Sequence, residues 1–292
     1  MEKISFFDAI EQNKRNSIIL IFAVIAIFLA LIWVISEVFD YGICGYLLGF
    51  FCLAIYLLGA YYAGDKVILA LAGAKEIKHE DNPYIYNVVE GLAIAAGIPK
   101  PKIYLINDPF PNAFATGRDP QHSAIAVTSG LLETMKKEEL AGVLAHEISH
   151  IANYDIRFTM LAVALAGAIG LLSELFLRSF IWGGSGRNRK GGGAIVLLGL
   201  LFMILAPLAA YFVRMAISRQ REYLADANAA QLTRYPEGLA SALEKIKNYP
   251  NKMQNASNVT ASLYIADPFK SAAGLFATHP PIEERVARLR KT

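Results

Sequence analysis

The segment HEISH at 146–150 places two imidazoles four positions apart with a carboxylate between them. On an α-helix that spacing leaves His146 and His150 about 40° apart on one face, where both can close on a single ion. Glu147 is turned about 100° from His146. It cannot easily ligate beside its neighbours, but it can reach a water held by the metal. Zinc lowers the pKa of such a water to about 7, and a carboxylate there can take its proton and hand it to a leaving amine. The spacing HExxH therefore encodes metal-assisted peptide hydrolysis. The alternative is a surface helix that happens to carry polar residues.

A third ligand belongs on a separate helix and needs Asp, Glu or His chemistry. RQREYLAD, starting at Arg219, supplies Glu222 and, four residues on along the same face, Asp226. Glu222 is assigned as the ligand, and Asp226 as the carboxylate that orients a ligating histidine. A solvated charged helix, with Glu222 paired to a nearby arginine, is the competing reading.

The elements that must position these groups are unusual for a soluble enzyme. Of the 292 residues 55% are hydrophobic, and the net charge is only +3. No basic run with interleaved aromatics accompanies that charge, so nucleic acid is not an expected partner. Residues 17–39 and 43–63 are each apolar for about 20 residues, enough to cross a hydrocarbon core of roughly 30 Å. The first lacks the short apolar core and small-residue cleavage site of a signal peptide. Lys3, Lys14 and Arg15 precede this hairpin and Lys66, Lys75 and Lys78 follow it, which puts both ends in the cytoplasm. Two further apolar stretches, 158–177 and 194–213, come after the histidines. Their connector carries Arg178, Arg187, Arg189 and Lys190, against the positive-inside rule if both stretches cross; a shallow hairpin is the alternative. Length and the flexible Gly-rich linker favour crossing. Cys44 and Cys52 sit in the second apolar stretch at a spacing unsuited to zinc or to a staple, and are expected to be packing residues.

Between the hairpins the chain turns polar. Asp81-Asn82-Pro83 reads as a helix start that Gly97 and Pro99 stop. PKIYLIND, NAFATG and SAIAVTSG are three short β-rich runs. Helix returns from Lys136 with the histidines and is expected to run directly into the third apolar stretch. Helices are expected over 218–233 and 236–249 and from Pro280. His79 and His122 lie in polar loops and are expected at the surface. The expected class is a mainly α-helical multi-pass membrane protein with a cytoplasmic α+β zincin-like catalytic domain, a small sheet plus metal-binding helices. Its divisions are 1–64 with the first hairpin, 65–156 with the sheet and HExxH helix, 157–216 with the second hairpin, and 217–292 with the third-ligand helix.

HEISH, REYLAD, NAFATG and the late THPP together resemble the HtpX family of membrane zinc metallopeptidases, relatives of the CaaX prenyl proteases, over nearly the whole chain. The resemblance implies a gluzincin-like endopeptidase of the bacterial plasma membrane, active at the cytoplasmic face on misfolded or damaged membrane proteins. It implies one Zn2+ on His146, His150 and Glu222, with Glu147 as acid/base. It further implies that Asn112, Ala113, Phe114 and Ala115 form a sheet edge to which substrate adds as a strand. His279 is a candidate donor to the oxyanion, or else a loop histidine capping the helix that Pro280 opens. Glu174 and Arg214 can meet or can snorkel to opposite interfaces. Two rival functions are a prenyl-protein-type processing peptidase, which needs more spans, and a zinc scaffold or holdase that does not cut, which has no use for Glu147. A transporter is disfavoured, because no duplicated pattern is visible.

Overall fold

The computed structural model describes residues 6–38, 41–182, 219–254, 256, 260–269 and 279–291. Helices α1 (Phe6–Val38) and α2 (Gly42–Leu71) form the first hairpin. Among the described residues two helices are long and apolar enough to cross a membrane, over Glu11–Ala30 and Gly42–Leu71. Only 6% of the α2 window is buried, and Ile43, Leu47, Leu48, Phe51, Ile55 and Leu58 project outward. An apolar face that no protein covers suits lipid. Cys44 and Cys52 belong to that exposed surface as free thiols, so they are not the packing residues expected. Helix α2 also continues past residue 64 to Leu71, because KVILAL keeps its apolar character until Gly73 turns the chain at φ +65°.

The sheet is four-stranded, in the order β1 (Lys75–Glu76), β2 (Lys102–Ile106), β4 (His122–Thr128), β3 (Ala113–Asp119). β2 runs parallel to β4 and the other pairs are antiparallel. The two-residue β1 carries no alternation and was not expected. β3 is an edge strand, with Phe114 opposite Ala126 and Ala115 opposite Ile125. Helix α3 (Pro83–Ala96) starts where expected: the Asn82 side chain accepts from the Ile85 N–H, Pro83 fills the first turn, and Gly97 closes it at φ +68°.

A short helix α4 (Ser129–Thr134) leads to α5 (Lys137–Ala152), the histidine helix. The Lys136 N–H donates to Glu139 Oε2 at 2.7 Å, satisfying one of the amides that a helix start leaves unpaired. α5 does not run directly into the third apolar stretch. It stops at Ala152, and Tyr154 takes the left-handed conformation at φ +61° before α6 (Asp155–Trp182) begins. A non-glycine residue is strained there, and its ring is flanked by the Lys14 ammonium at 4.5 Å and the Arg157 guanidinium at 5.0 Å. The stretch 158–177 lies within α6. The stretch 194–213, the connector from 183 onward and Arg214 lie outside the described residues, as does the side chain of Glu174.

Helices α7 (Arg219–Thr233), α8 (Pro236–Asn248) and α9 (Ile282–Leu289) complete the fold. One core gathers the sheet, α3, α5 and α8 around Phe110, Phe114, Ile125, Val143, Leu243 and Tyr264. A second joins α1 to α6 through Leu20, Ile27, Phe158, Leu161 and Leu165. The apolar hairpin is thereby anchored to the helix that follows the histidines.

α5 and α8 touch at backbone distance. A Cβ at Gly142 would lie 2.6 Å from the Leu239 N, and one at Gly238 would lie 2.6 Å from the Glu138 O. Gly142→Ala gains about 1 kcal/mol in helix propensity, but the contact forces the helices apart and opens the core around Leu239 and Leu243. A net loss of about 1–3 kcal/mol is expected, measured by denaturant unfolding of the purified protein. Unchanged stability would mean that the crossing is looser than these distances.

Candidate active site

α5 presents His146, Glu147 and His150, and α7 presents Glu222 and Asp226; all but His150 are buried to 4% exposure or less. The two helices are cross-linked by Asn228 Nδ2, which donates to Ser149 Oγ at 2.9 Å. Small side chains at the contact, Ala145, Ala225 and Ala229, let them approach closely. The other end of α5 is fixed through Glu139, which accepts from Lys245 at 2.6 Å and from Ser241 at 2.8 Å.

His146 Nε2 and His150 Nε2 face each other at 3.1 Å. Glu222 Oε2 lies 3.7 Å from the first and Glu222 Oε1 lies 3.5 Å from the second. One donor atom from each residue falls within 4.8 Å of the others, so the three can hold a metal ion. The spacing suits zinc: two Zn–N bonds of about 2.05 Å at a tetrahedral angle put the nitrogens about 3.3 Å apart. Behind each ring stands a carboxylate, Asp226 Oδ1 at 3.0 Å from His146 Nδ1 and Asp155 Oδ2 at 2.9 Å from His150 Nδ1. A proton held on each Nδ1 leaves both Nε2 lone pairs aimed at one point. Two converging lone pairs repel unless a proton or a metal ion lies between them. Glu222 Oε2 is also buried without an aligned hydrogen-bond partner, as expected of an oxygen reserved for an ion.

The electrostatics agree. Burial pulls His146 down to about 4, so its lone pair is free at neutral pH. Burial also acts to lower His150, but the hydrogen bond to Asp155 and the charge of Glu222 outweigh it and push His150 up to about 9. The carboxylates thus favour positive charge where the rings meet. Burial opposes ionisation of Glu222, yet His279, His150 and Arg285 hold it well below the usual range. Burial pushes Glu147 up to about 7, opposed by the His150 charge and by the Ala115 N–H at its carboxylate. A base near neutrality is the useful kind for proton transfer.

Asn112 Nδ2 donates to the Ala266 carbonyl at 3.0 Å, so this side chain fixes a loop. Ala113, Phe114 and Ala115 lie on the edge strand, and Ala115 borders the metal cluster. The edge is not bare: the Ile265 N–H donates to the Ala113 carbonyl at 2.9 Å, after a 3₁₀ turn at Ala261–Leu263. His279 Nδ1 lies 3.1 Å from Glu222 Oε2 without hydrogen-bond alignment, and both its ring nitrogens are buried and unpaired. Ala115, Ile265 and His279 line, with the His146, Glu147, His150 and Glu222 side chains, a cavity of about 40 Å³. His79 and His122 are exposed, the latter paired to Asp119 at 2.8 Å.

A model of peptidase family M48 matches residues 79–292. The chain belongs to that family. It is 47% identical over 291 residues to the protease HtpX homolog of Dictyoglomus thermophilum, covering 99% of this chain and 96% of that protein. It is 45% identical over 295 residues to the homolog of Caldanaerobacter subterraneus, with 99% of each chain covered. Identity to the Streptococcus uberis homolog is 43% over 297 residues, covering 97% of this chain and 99% of that one. Membership makes the chain an HtpX-type metallopeptidase of the membrane. Its fold is similar to the crystal structure of S. mikatae Ste24p, with a TM-score of 0.50 and 22% identity over 97% of this chain and 67% of that one.

Three residues at the M48 site went unnoticed in the sequence. Asp155 follows the second histidine by five positions, and its role depends on the corner at Tyr154. Asn13 of α1 donates to Asp155 Oδ1 at 2.7 Å and to the Asn153 carbonyl at 2.9 Å, tying the first apolar helix to the site. Arg285 of α9 is fully buried and donates to both oxygens of Asp226, at 2.6 and 2.9 Å. In the sequence it is one of several charges in IEERVARLRK; only its helix face distinguishes it.

Burial opposes ionisation of Asp226, but the Arg285 charge and His146 hold it at about 2, below its usual 3.8. A carboxylate lowered on folding adds stability that is complete above about pH 4 and is lost as pH falls toward 2. Arg285→Met leaves Asp226 buried without its cation, and a loss of about 3–5 kcal/mol is expected. Urea unfolding from pH 7 down to pH 2 checks both statements. A variant as stable as the parent at pH 7 would show that the pair contributes nothing.

Proposed function

We propose that the chain is a zinc-dependent endopeptidase that crosses the bacterial plasma membrane several times and cleaves misfolded or damaged membrane proteins at the cytoplasmic face. The observation that carries the reading is the convergence of His146, His150 and Glu222 on one point, with Glu147 buried beside them and close to neutral in pKa. His146, His150 and Glu222 hold the ion, and Asp226 and Asp155 keep the two rings aimed. When bound, zinc supplies a Lewis acid and brings the pKa of water toward about 7.

This chain's own groups do the rest. Glu147 takes a proton from the attacking water and returns it to the leaving amine. The Ala113 and Ala115 edge aligns an extended substrate through its backbone, which leaves side-chain choice loose. For the edge to be used at Ala113, the Ile265 contact must give way, because its N–H already occupies the Ala113 carbonyl. His279, with no aligned hydrogen bond at either ring nitrogen, donates to the carbonyl oxygen as negative charge develops there. The membrane reading rests on the lipid-suited face of α2, and the cytoplasmic orientation on the cations flanking the first hairpin.

Purified full-length protein, assayed for zinc and for cleavage of an unfolded casein substrate, tests these roles. Glu147→Gln is expected to keep about one zinc per chain while losing at least about 10²-fold in kcat. His146→Ala and Glu222→Ala are expected to lose the zinc itself. Zinc binding with no Glu147-dependent cleavage would favour the non-cutting scaffold instead.

A further inference from the structure

A second cavity, of about 290 Å³, opens between α1, α2 and α6, away from the metal cluster. Its walls are hydrocarbon, among them Ile21, Leu57, Leu161 and Leu165, and one polar group stands out. The Tyr56 hydroxyl is buried with no hydrogen-bond partner. Inside a bilayer such a group costs several kcal/mol unless something accepts from it. At the end nearest the sheet the cavity is bordered by Tyr61 and Tyr62. The Arg118 guanidinium lies over both rings, 5.8 and 5.0 Å from their centroids. Arg157 Nε donates to the Arg118 carbonyl at 2.5 Å, and Arg157 and Lys14 share the Tyr154 ring. Arg118 thus caps the Tyr61 and Tyr62 rings at the cavity, and Arg157 and Lys14 adjoin it, Arg157 through the Arg118 carbonyl and Lys14 through the shared Tyr154 ring. Asp119, 3.6 Å from Arg118 and already paired with His122, is the carboxylate that faces it. Among the described residues Arg157 and Lys14 have no carboxylate partner.

We propose that this place binds one anionic phospholipid of the bilayer, its phosphate on Lys14, Arg118 and Arg157 and one acyl chain in the cavity. The proposal rests on the reading that α1 and α2 span a membrane. Guanidinium groups match phosphate geometry, and basic pockets between membrane helices are suited to anionic headgroups. Tyr56 lies six residues before Tyr62, about 9 Å deeper along α2, where its hydroxyl can donate to an acyl-ester carbonyl. A zwitterionic lipid can fill the same hydrocarbon space but adds a positive group to a cluster that is already cationic. Arg118 stands on β3, so the lipid would tie the strand edge at the active site to the surface of the bilayer.

Native mass spectrometry of the full-length protein, released from nanodiscs containing equal phosphatidylglycerol and phosphatidylcholine, reads the outcome. One phosphatidylglycerol per chain is expected to be retained in preference to phosphatidylcholine. Lys14→Glu with Arg157→Glu should weaken that retention by roughly fivefold or more for each cation removed. Ala164→Trp, which fills the cavity, should abolish it, while Lys252→Glu at an exposed site should not change it. Equal retention of the two lipids, or retention unaffected by either the charge or the cavity variant, overturns the proposal. If those variants do not fold, the test is the melting temperature of the parent protein, which phosphatidylglycerol should raise above its value in phosphatidylcholine; equal melting temperatures would overturn the proposal. Flotation of the parent protein with vesicles is scored separately. Failure to float removes the membrane reading, whereas flotation without lipid preference removes only the bound lipid.

Discussion

Two imidazole Nε2 atoms facing each other across 3.1 Å need a proton or a metal ion between them, and the surrounding structure is arranged to keep them there. Each ring is held from behind by a carboxylate, and each carboxylate is held in turn. Asp226 is gripped by Arg285 from the last helix, and Asp155 by Asn13 from the first. Four further helices therefore meet α5 at one pair of rings. The ligating geometry depends on the N-terminal and C-terminal ends of the chain as much as on the HEISH segment itself. Burial acts to lower both rings, but Asp155, Glu222 and Glu147 together drive His150 up, whereas at His146 the Arg285 and His150 charges offset Asp226 and leave it low.

That arrangement explains how water-dependent chemistry can adjoin apolar helices. The corner at Asn153 and Tyr154 turns the chain so that α5 stays in the catalytic core while α6 leaves along α1. The same corner sets Asp155 at the start of α6, where an acid is favoured by the helix dipole and can reach back to His150. The left-handed Tyr154 is tolerated because its ring stacks with two cations. A continuous helix through these residues would carry Asp155 away from His150. The break is thus part of the site, and it lies where polar surroundings give way to apolar ones.

Much of the site was legible because its groups follow helical arithmetic. His146, Glu147 and His150 lie on one helix, Glu222 and Asp226 on another, and a spacing of four reports a shared face in both. The sheet runs were legible for a similar reason, since Pro, Gly and Asp mark their ends. Arg285, Asp155 and Asn13 were not, because their roles arise between elements far apart in sequence, and no local period signals a contact across 59 or 142 positions. The corner at Tyr154 was missed because an apolar run hides a change of direction when no Gly or Pro marks it. Exposure of Cys44 and Cys52 was not legible because, on a helix apolar all round, an apolar neighbourhood in sequence does not mean packing within the protein.

The edge strand and the small cavity together limit what can be cut under the proposed reaction. An edge strand recognises the peptide backbone, so it accepts many sequences, but only from a chain already extended. Ile265 occupies one position on that edge, and Glu147 and His279 close over the point of attack. A folded protein cannot present a free strand there without first losing its own pairing. An unfolded loop can, and it gains hydrogen bonds that replace the single one Ile265 gives up. Under the proposed reaction, selection then falls on the conformational state of the substrate rather than on its side chains. The proposed recognition groups are backbone atoms of Ala113 and Ala115, which carry no side-chain code, while the buried charged groups surround the candidate metal site.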